Sequence, residues 1–338
     1  MDLATLLALG VLTFDQLNAY INNLPRIHTR IADMNLFQED GLVGTTIVKV
    51  GLAGDKLVLV PNVPRGSPAQ PKGLTRGKVK LLETTHLPQR STVMADQLLG
   101  VYDPVNDPTG TNVASVVNAL QAIHKRDLDY TIEYHRIGAL RGEVLDADGS
   151  TIVDLYEEFG VEPTVLGLQL GTADTRVRAK VLAIKREIEA KLGGVPHRGI
   201  HVFCSASFFD DLTEHKQVKD AYARWQDGAA LRDDMRQGFT FAGVTFEELP
   251  GGIGENPFIP EGEAIAFPLG VPDMFITRFA PADYLETVRT KGLPYYTKTA
   301  KLRMDKGIEL ESQSNPLSLN TRPDAVVRLK RGADDSEE

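Results

Sequence analysis

Residues 111 to 140 keep the apolar period of an α-helix and run straight into "RGEVLDADGSTIVDLYEEFG". Val113, Val116, Val117, Leu120 and Ile123 recur at three- and four-residue steps, and Ile132, Ile137 and Leu140 continue the stripe. That period predicts one long helix, ending near Gly142. The segment after Gly142 decides between chemistry and shape, because Asp146, Asp148, Asp154, Glu157 and Glu158 crowd around D-A-D-G. An EF-hand loop needs D-x-D-x-D-G, with glycine at its sixth position and glutamate at its twelfth. Here Gly149 stands fourth, counted from Asp146. The flanks GEVL and STIVDLY have strand character, and Asp-Gly suits a turn that needs positive φ at successive positions. The stretch therefore predicts a β-hairpin turning at Asp148 and Gly149.

The rest of the chain mixes both element types. Residues 2–24 predict short helical pieces, with Thr13 as N-cap before FDQLNAYI. From Thr45 the texture turns to strand. TTIVKV and KLVLV flank G-L-A-G-D, PNVPRGSPAQPKGLTRG is dense in proline and glycine, and KVKLLETTHL predicts a further strand. A two-stranded excursion of this kind is marginal alone in water, so it is expected to rest on another surface. TVLGLQL (164–170) predicts a strand, and Thr175 to Leu192 a helix buried through Val177, Val181, Ile184 and Ile188 and stopped by Gly193-Gly194. GIHVFCS predicts a buried strand and SFFDDLTEHKQVKDAYARW a helix. Beyond about residue 239 strands and turns dominate. In YYTKTAKLRM-DKG-IELESQS the residues Ala300, Leu302, Met304, Ile308 and Leu310 alternate with polar ones, the period of a half-buried hairpin. DAVVRL closes the folded chain before the acidic GADDSEE. The order of elements predicts an α+β body of elongated outline, with no internal repeat.

Charge and cysteine content narrow the function classes. The chain carries a net −9, which disfavours general affinity for nucleic acid. Between Thr45 and Val93, however, eight bases (Lys49, Lys56, Arg65, Lys72, Arg76, Lys78, Lys80, Arg90) face two acids, a net +6 that leaves −15 for the remainder. Such a segment suits nucleic acid or another copy of the same acidic body. Cys204 is the only cysteine, so an intrachain disulfide and a multi-cysteine zinc site are excluded, and a reducing compartment fits. The N-terminus MDLATLLALGVLTF has no basic residue before Arg26 and is expected to pack as an arm or helix rather than to act as a targeting signal. No uncharged apolar run approaches the ~18 residues of a membrane span.

Each apparent catalytic motif fails on spacing or setting. GLTRGKV (73–79) has three residues between its glycines where a phosphate loop has four, and Val79 follows the lysine. GGIGEN (251–256) lacks dinucleotide-loop spacing. His201 and Cys204 lie three apart on one strand, hence on opposite faces, and VFCS suggests packing rather than an electropositive thiol site. His197 and His201 have the H-x-x-x-H spacing without the glutamate, between Pro196 and Gly199, which argues against a zinc helix. His124 and His135 are about 16 Å apart along a helix and cannot share a site within one subunit. Asp210, Asp211, Glu214 and His215, like Glu187 and Glu189, have the pattern of a solvated helix face. No catalytic, cofactor-binding or metal-binding set emerges, which leaves an enzyme acting through Cys204 as a competing reading.

Three runs in order carry a family likeness: "RIGALRGEVLDADGSTIVDLYEEFG", "GIHVFCSASFFDDLTEHKQVKDAY" and "YYTKTAKLRMDKGIELESQSNPLSLNTRPDAVVRL". Over nearly the whole chain the sequence resembles the major capsid proteins of tailed bacteriophages, of the lambda shell-protein (major capsid protein E) family. The resemblance implies the HK97-type capsid fold. Residues 1–40 would then form an N-terminal arm and 41–100 an extended loop (E-loop). Residues 101–165 and 290–332 would form a peripheral domain with a long spine helix and hairpin, 166–289 an axial domain and 333–338 an acidic tail. It further implies hexamers and pentamers in an icosahedral head around double-stranded DNA, touched non-specifically on the inner face. Arg65, Lys72, Arg76 and Lys78 of the extended loop are the expected intersubunit contacts, where charge complementarity fixes register. Portal and decoration proteins are implied partners, with assembly in the host bacterial cytoplasm and no membrane involved. No long N-terminal coiled coil of the built-in scaffold type is present, so a separate scaffolding protein is expected. A nanocompartment (encapsulin-like) shell protein is the nearest alternative, and a nucleic-acid binder acting through 45–93 a more distant one, disfavoured by the absence of aromatics there.

Overall fold

The long helix spans Thr111–Arg141, about 46 Å at 1.5 Å per residue. The computed structural model describes residues 13–39, 43–51, 79–95, 97, 111–224, 236, 238–253 and 256–332. They fall into two compact units. One holds the described parts of Met1–Lys49, Leu81–Glu133 and Thr277–Ser318, the other those of Val50–Lys80, Tyr134–Ile276 and Leu319–Glu338. The helix belongs to the first unit as far as Glu133 and to the second from Tyr134.

In the first unit, Tyr296–Lys301, Gly307–Ser314 and Leu87–Met94 form an antiparallel sheet in that order. Helix Phe14–Asn23, capped by Thr13 accepting from Gln16 N, lies along its Tyr296 edge. Asn18 Oδ1 accepts from Thr297 N (2.7 Å) and Asn22 Nδ2 donates to Tyr295 O (2.9 Å), which covers the start of that edge. The long helix packs through Val117, Leu128 and Ile132 onto Leu17, Ile21, Phe279, Tyr295 and Leu310.

The buried face of this helix departs from the predicted stripe. Ile123 is 45% exposed, while Gln121, His124, Lys125 and Asp129 are buried. Each of these residues has a partner, although Gln121 Oε1 accepts no hydrogen bond among the described residues. Gln121 Nε2 donates to Leu17 O (3.1 Å), His124 lies between Ser91 Oγ (2.7 Å) and Ser312 Oγ (3.0 Å), Asp129 accepts from Tyr295 OH, and Lys125 Nζ sits 3.9 Å above the Tyr295 ring. A polar group with its hydrogen bonds made is tolerated in a core, and hydropathy cannot register the partner. The hairpin Tyr296–Ser314 departs similarly. Ile308 and Leu310 are buried, but Ala300 and Met304 are exposed, and Ser312, Gln313 and Ser314 are buried instead. The single strand expected over KVKLLETTHL is two, Val79–Glu83 and Leu87–Met94. They are separated where Thr85 donates through N and Oγ1 to Pro316 O (3.0 and 2.6 Å) and His86 Nδ1 meets Asn315 Oδ1 (2.8 Å).

The second unit is built on a six-stranded mixed sheet. Its order is Thr164–Gly167, Val327–Lys330, Glu263–Leu269, Gly199–Cys204, Val244–Glu248, Phe239–Phe241. Gly199–Cys204 pairs antiparallel with Glu263–Leu269 and parallel with Val244–Glu248, and is buried from Ile200 to Cys204. A strand covered on both faces has the continuous apolar run expected for GIHVFCS. Helix Val177–Leu192 buries Val177, Val181, Ile184, Ile188 and Leu192 and stops at Gly193, which takes the left-handed conformation. The single helix expected over SFFDDLTEHKQVKDAYARW breaks into Ala206–Glu214 and Lys216–Arg224. At the break His215 is held, its Nε2 3.1 Å from Thr172 O and its Nδ1 accepting from Gln217 N (3.3 Å).

Candidate assembly site

The helix end and the hairpin after it are locked together within the second unit. Glu143–Leu145 pairs antiparallel with Thr151–Asp154, with a register shift between Val144 and Leu145. Asp148 and Gly149 lie in the intervening loop. Asp148 Oδ1 accepts from Ser150 N (2.9 Å) and Ser150 Oγ (2.6 Å), which holds its carboxyl below the usual carboxylate range. Gly149 has φ 86°, and its N donates to Asp146 O (3.0 Å).

The neighbouring carboxylates that suggested calcium are occupied with local structure. Asp154 caps the short helix Leu155–Phe159 by accepting from Tyr156 N (2.8 Å) and Glu157 N (3.2 Å). Glu158 meets Lys80 at 3.3 Å. Among the described residues no group of three or more His, Cys, Asp or Glu side chains is arranged to hold a metal ion.

Arg328 ties these pieces together, although its place in the sequence gives no hint of it. Its Nη2 donates to Arg141 O at the helix C-terminus (3.0 Å) and to Glu143 Oε1 (2.5 Å), and its guanidinium lies 5.2 Å from the Tyr156 ring. One side chain thus satisfies an unpaired helix carbonyl, an acid on the hairpin and an aromatic face. The signal was out of reach because Arg328 and Glu143 stand 185 residues apart. Two glycines permit the close approach. A Cβ on Gly138 would lie 2.7 Å from Glu143 O, and one on Gly142 would lie 2.1 Å from Tyr156 Cε2.

The nucleophile reading of Cys204 does not survive its surroundings. Its side chain is wholly buried, and burial pushes the thiol well above its ordinary pKa. His201 meets Glu247 (Nε2 to Oε2 3.0 Å), and its ring packs in one cluster with those of Phe203 and Phe267, 5.1 and 5.6 Å away. His197 lies 3.6 Å from Glu189, so the two histidines engage different partners.

The basic stretch is partly visible. Lys80 pairs with Glu158, and Arg90 with Glu309 (2.9 Å) and Glu311 (3.4 Å), all in the same chain. Arg65, Lys72, Arg76 and Lys78 lie outside the described residues, as do residues 1–12 and the acidic tail 333–338. A feature with no counterpart in the sequence pattern stands in the first unit, where Leu285 and Val288 are exposed beside an open cleft.

Comparison with known proteins places this architecture. The model of the family described as phage major capsid protein E matches residues 13–331. The chain is 25% identical over 353 residues to the major capsid protein of Salmonella phage Felix O1, spanning 94% of this chain and 95% of that one. It is 30% identical over 200 residues to the major capsid protein of Pseudomonas phage KPP10, spanning 54% and 57%. Among solved structures it is similar to a prophage protein of E. coli CFT073 assigned as a capsid protein, with a TM-score of 0.57 at 14% identity over 94% of this chain and 99% of that one.

The chain belongs to the phage major capsid protein E family. It has the α+β, HK97-type capsid fold and is a shell subunit that self-assembles into the capsid of the virion. The hydrolase and nanocompartment readings are not favoured.

Proposed function

We propose that this subunit forms the hexamers and pentamers of an icosahedral head enclosing double-stranded DNA, and that it performs no catalysis. The family match across 13–331 is the observation that carries this reading. In the proposed arrangement residues 1–40 are the arm and 41–100 the extended loop. Residues 101–165 and 290–332 supply the peripheral domain, and 166–289 the axial domain. Arg65, Lys72, Arg76 and Lys78 meet the acidic body of the neighbouring subunit. Many weak contacts of this kind add through multivalency into a stable shell. A separate scaffolding protein guides assembly in the host bacterial cytoplasm, a portal protein occupies one vertex, and a decoration protein binds outside. DNA is touched non-specifically on the inner face.

Reversing charge at Lys72 and Arg76 together tests the extended-loop contacts. With the other head proteins present, K72E/R76E is expected to lower the yield of closed shells at least about tenfold, as like charges replace opposite ones at each repeated contact. Circular dichroism of the unassembled subunit should stay unchanged. Normal shells from the double variant would remove these residues from the interface.

A further inference from the structure

The Asp148-Gly149 dipeptide is reactive as well as a turn. Gly149 has no side chain to shield its backbone nitrogen, which can attack the Asp148 carboxyl and close a five-membered ring. The bond that forms joins Gly149 N to Asp148 Cγ. The amide hydrogen and the hydroxyl of the protonated carboxyl leave together as water. A second water then opens the succinimide at either of its carbonyls. Opening at the side-chain carbonyl restores aspartate. Opening at the backbone carbonyl gives isoaspartate, in which the chain runs through the former side chain. The sequence of steps needs water alone, and residues 146–150 are all exposed to it.

The turn is built against that reaction. Asp148 Oδ1 accepts from Ser150 N (2.9 Å) and from Ser150 Oγ (2.6 Å). Gly149 N donates to Asp146 O (3.0 Å). Ring closure needs the reverse of each contact. The carboxyl must leave both Ser150 donors and take up a proton, because an ionised carboxyl has no hydroxyl to lose. The nitrogen must give up the hydrogen it donates to Asp146. Two donors on one oxygen hold the carboxyl ionised, with its pKa below the usual carboxylate range. Ser150 is itself fixed, since Asp146 N donates to Ser150 O (2.8 Å) and closes the loop around Asp148. Isoaspartate would add one backbone carbon between the paired strands Glu143–Leu145 and Thr151–Asp154 and move the carboxylate that Ser150 meets.

We infer that Asp148 is a latent isoaspartate site, held as aspartate by the amide and hydroxyl of Ser150. The inference is independent of the shell reading and is tested on the unassembled full chain. Asp40-Gly41 and Asp227-Gly228 repeat the dipeptide outside the described residues and serve as references. Isoaspartate at each site is counted by peptide mapping with electron-transfer fragmentation, after incubation at neutral pH with and without urea. In urea the three sites should react at similar rates. Without it, Asp148 should slow at least about tenfold, the combined effect of its charge-assisted bonds. S150A should speed the folded chain at Asp148 at least about threefold, and S150T, which keeps the hydroxyl, should restore the wild-type rate. Unchanged circular dichroism and unchanged rates at Asp40 and Asp227 in S150A would confine that effect to the turn.

Equal rates at Asp148 with and without urea would overturn the inference. So would an S150A chain that isomerises no faster than wild type, since the hydroxyl would then give no protection. Absence of isoaspartate at Asp148 even in urea would remove the site itself.

Discussion

Gly142→Ala is expected to destabilise the unassembled subunit by about 4 kcal/mol, combining backbone strain with overpacking. Gly142 sits at φ 91°, where the long helix hands over to the hairpin, and a Cβ there would overlap the Tyr156 ring at 2.1 Å. That ring cannot retreat freely, because the Arg328 guanidinium lies over it while holding Arg141 O and Glu143. Urea unfolding monitored by fluorescence would measure the loss. The pair G142A/Y156A separates its two causes. Removing the ring relieves the collision and leaves the positive-φ cost, so the double variant should lose less than the sum of the singles. A loss below about 1 kcal/mol in Gly142→Ala would mean that the junction is not as close as described.

Acid is expected to weaken the same unit through His135. Its ring is buried on the long helix, and burial pushes its pKa down to about 4, with Asp146 acting weakly the other way. The unfolded chain takes up this proton near pH 6.5 and the folded chain only near 4. Stability from this group is therefore complete above pH 6.5 and falls as pH drops toward 4, by about 3 kcal/mol in all. Burial lowers the pKa of His124 too, which adds a loss of the same sign in the first unit. Unfolding free energies measured at pH 7.5, 6, 5 and 4.5 should trace the decline, and His135→Leu should flatten most of it. An unchanged slope in that variant would assign the acid sensitivity elsewhere.

The sequence carried those parts of the fold whose signal is local. A 3.6-residue apolar period placed the helices at 111–141 and 177–192, and a continuous apolar run placed the central strand Gly199–Cys204. Where burial depends on a partner far along the chain, the pattern misled. Gln121 and His124 fill positions that hydropathy would assign to Ile123, because Leu17 O accepts from the Gln121 amide and Ser91 and Ser312 flank the His124 ring. Arg328 read as one base in a closing strand until the fold set it beside Glu143. The projection at Leu285 and Val288 failed for the opposite reason. Apolar residues in a short turn-rich segment give no period, and only the folded loop shows that they face outward.

Cryo-electron microscopy of particles whose major protein is this chain tests the central claim most directly. The expected result is closed icosahedral shells with this fold repeated in hexamers and in pentamers at the vertices. Isolated globular monomers persisting at high concentration with the other head proteins present, or shells whose lattice is made of a different protein, would contradict it.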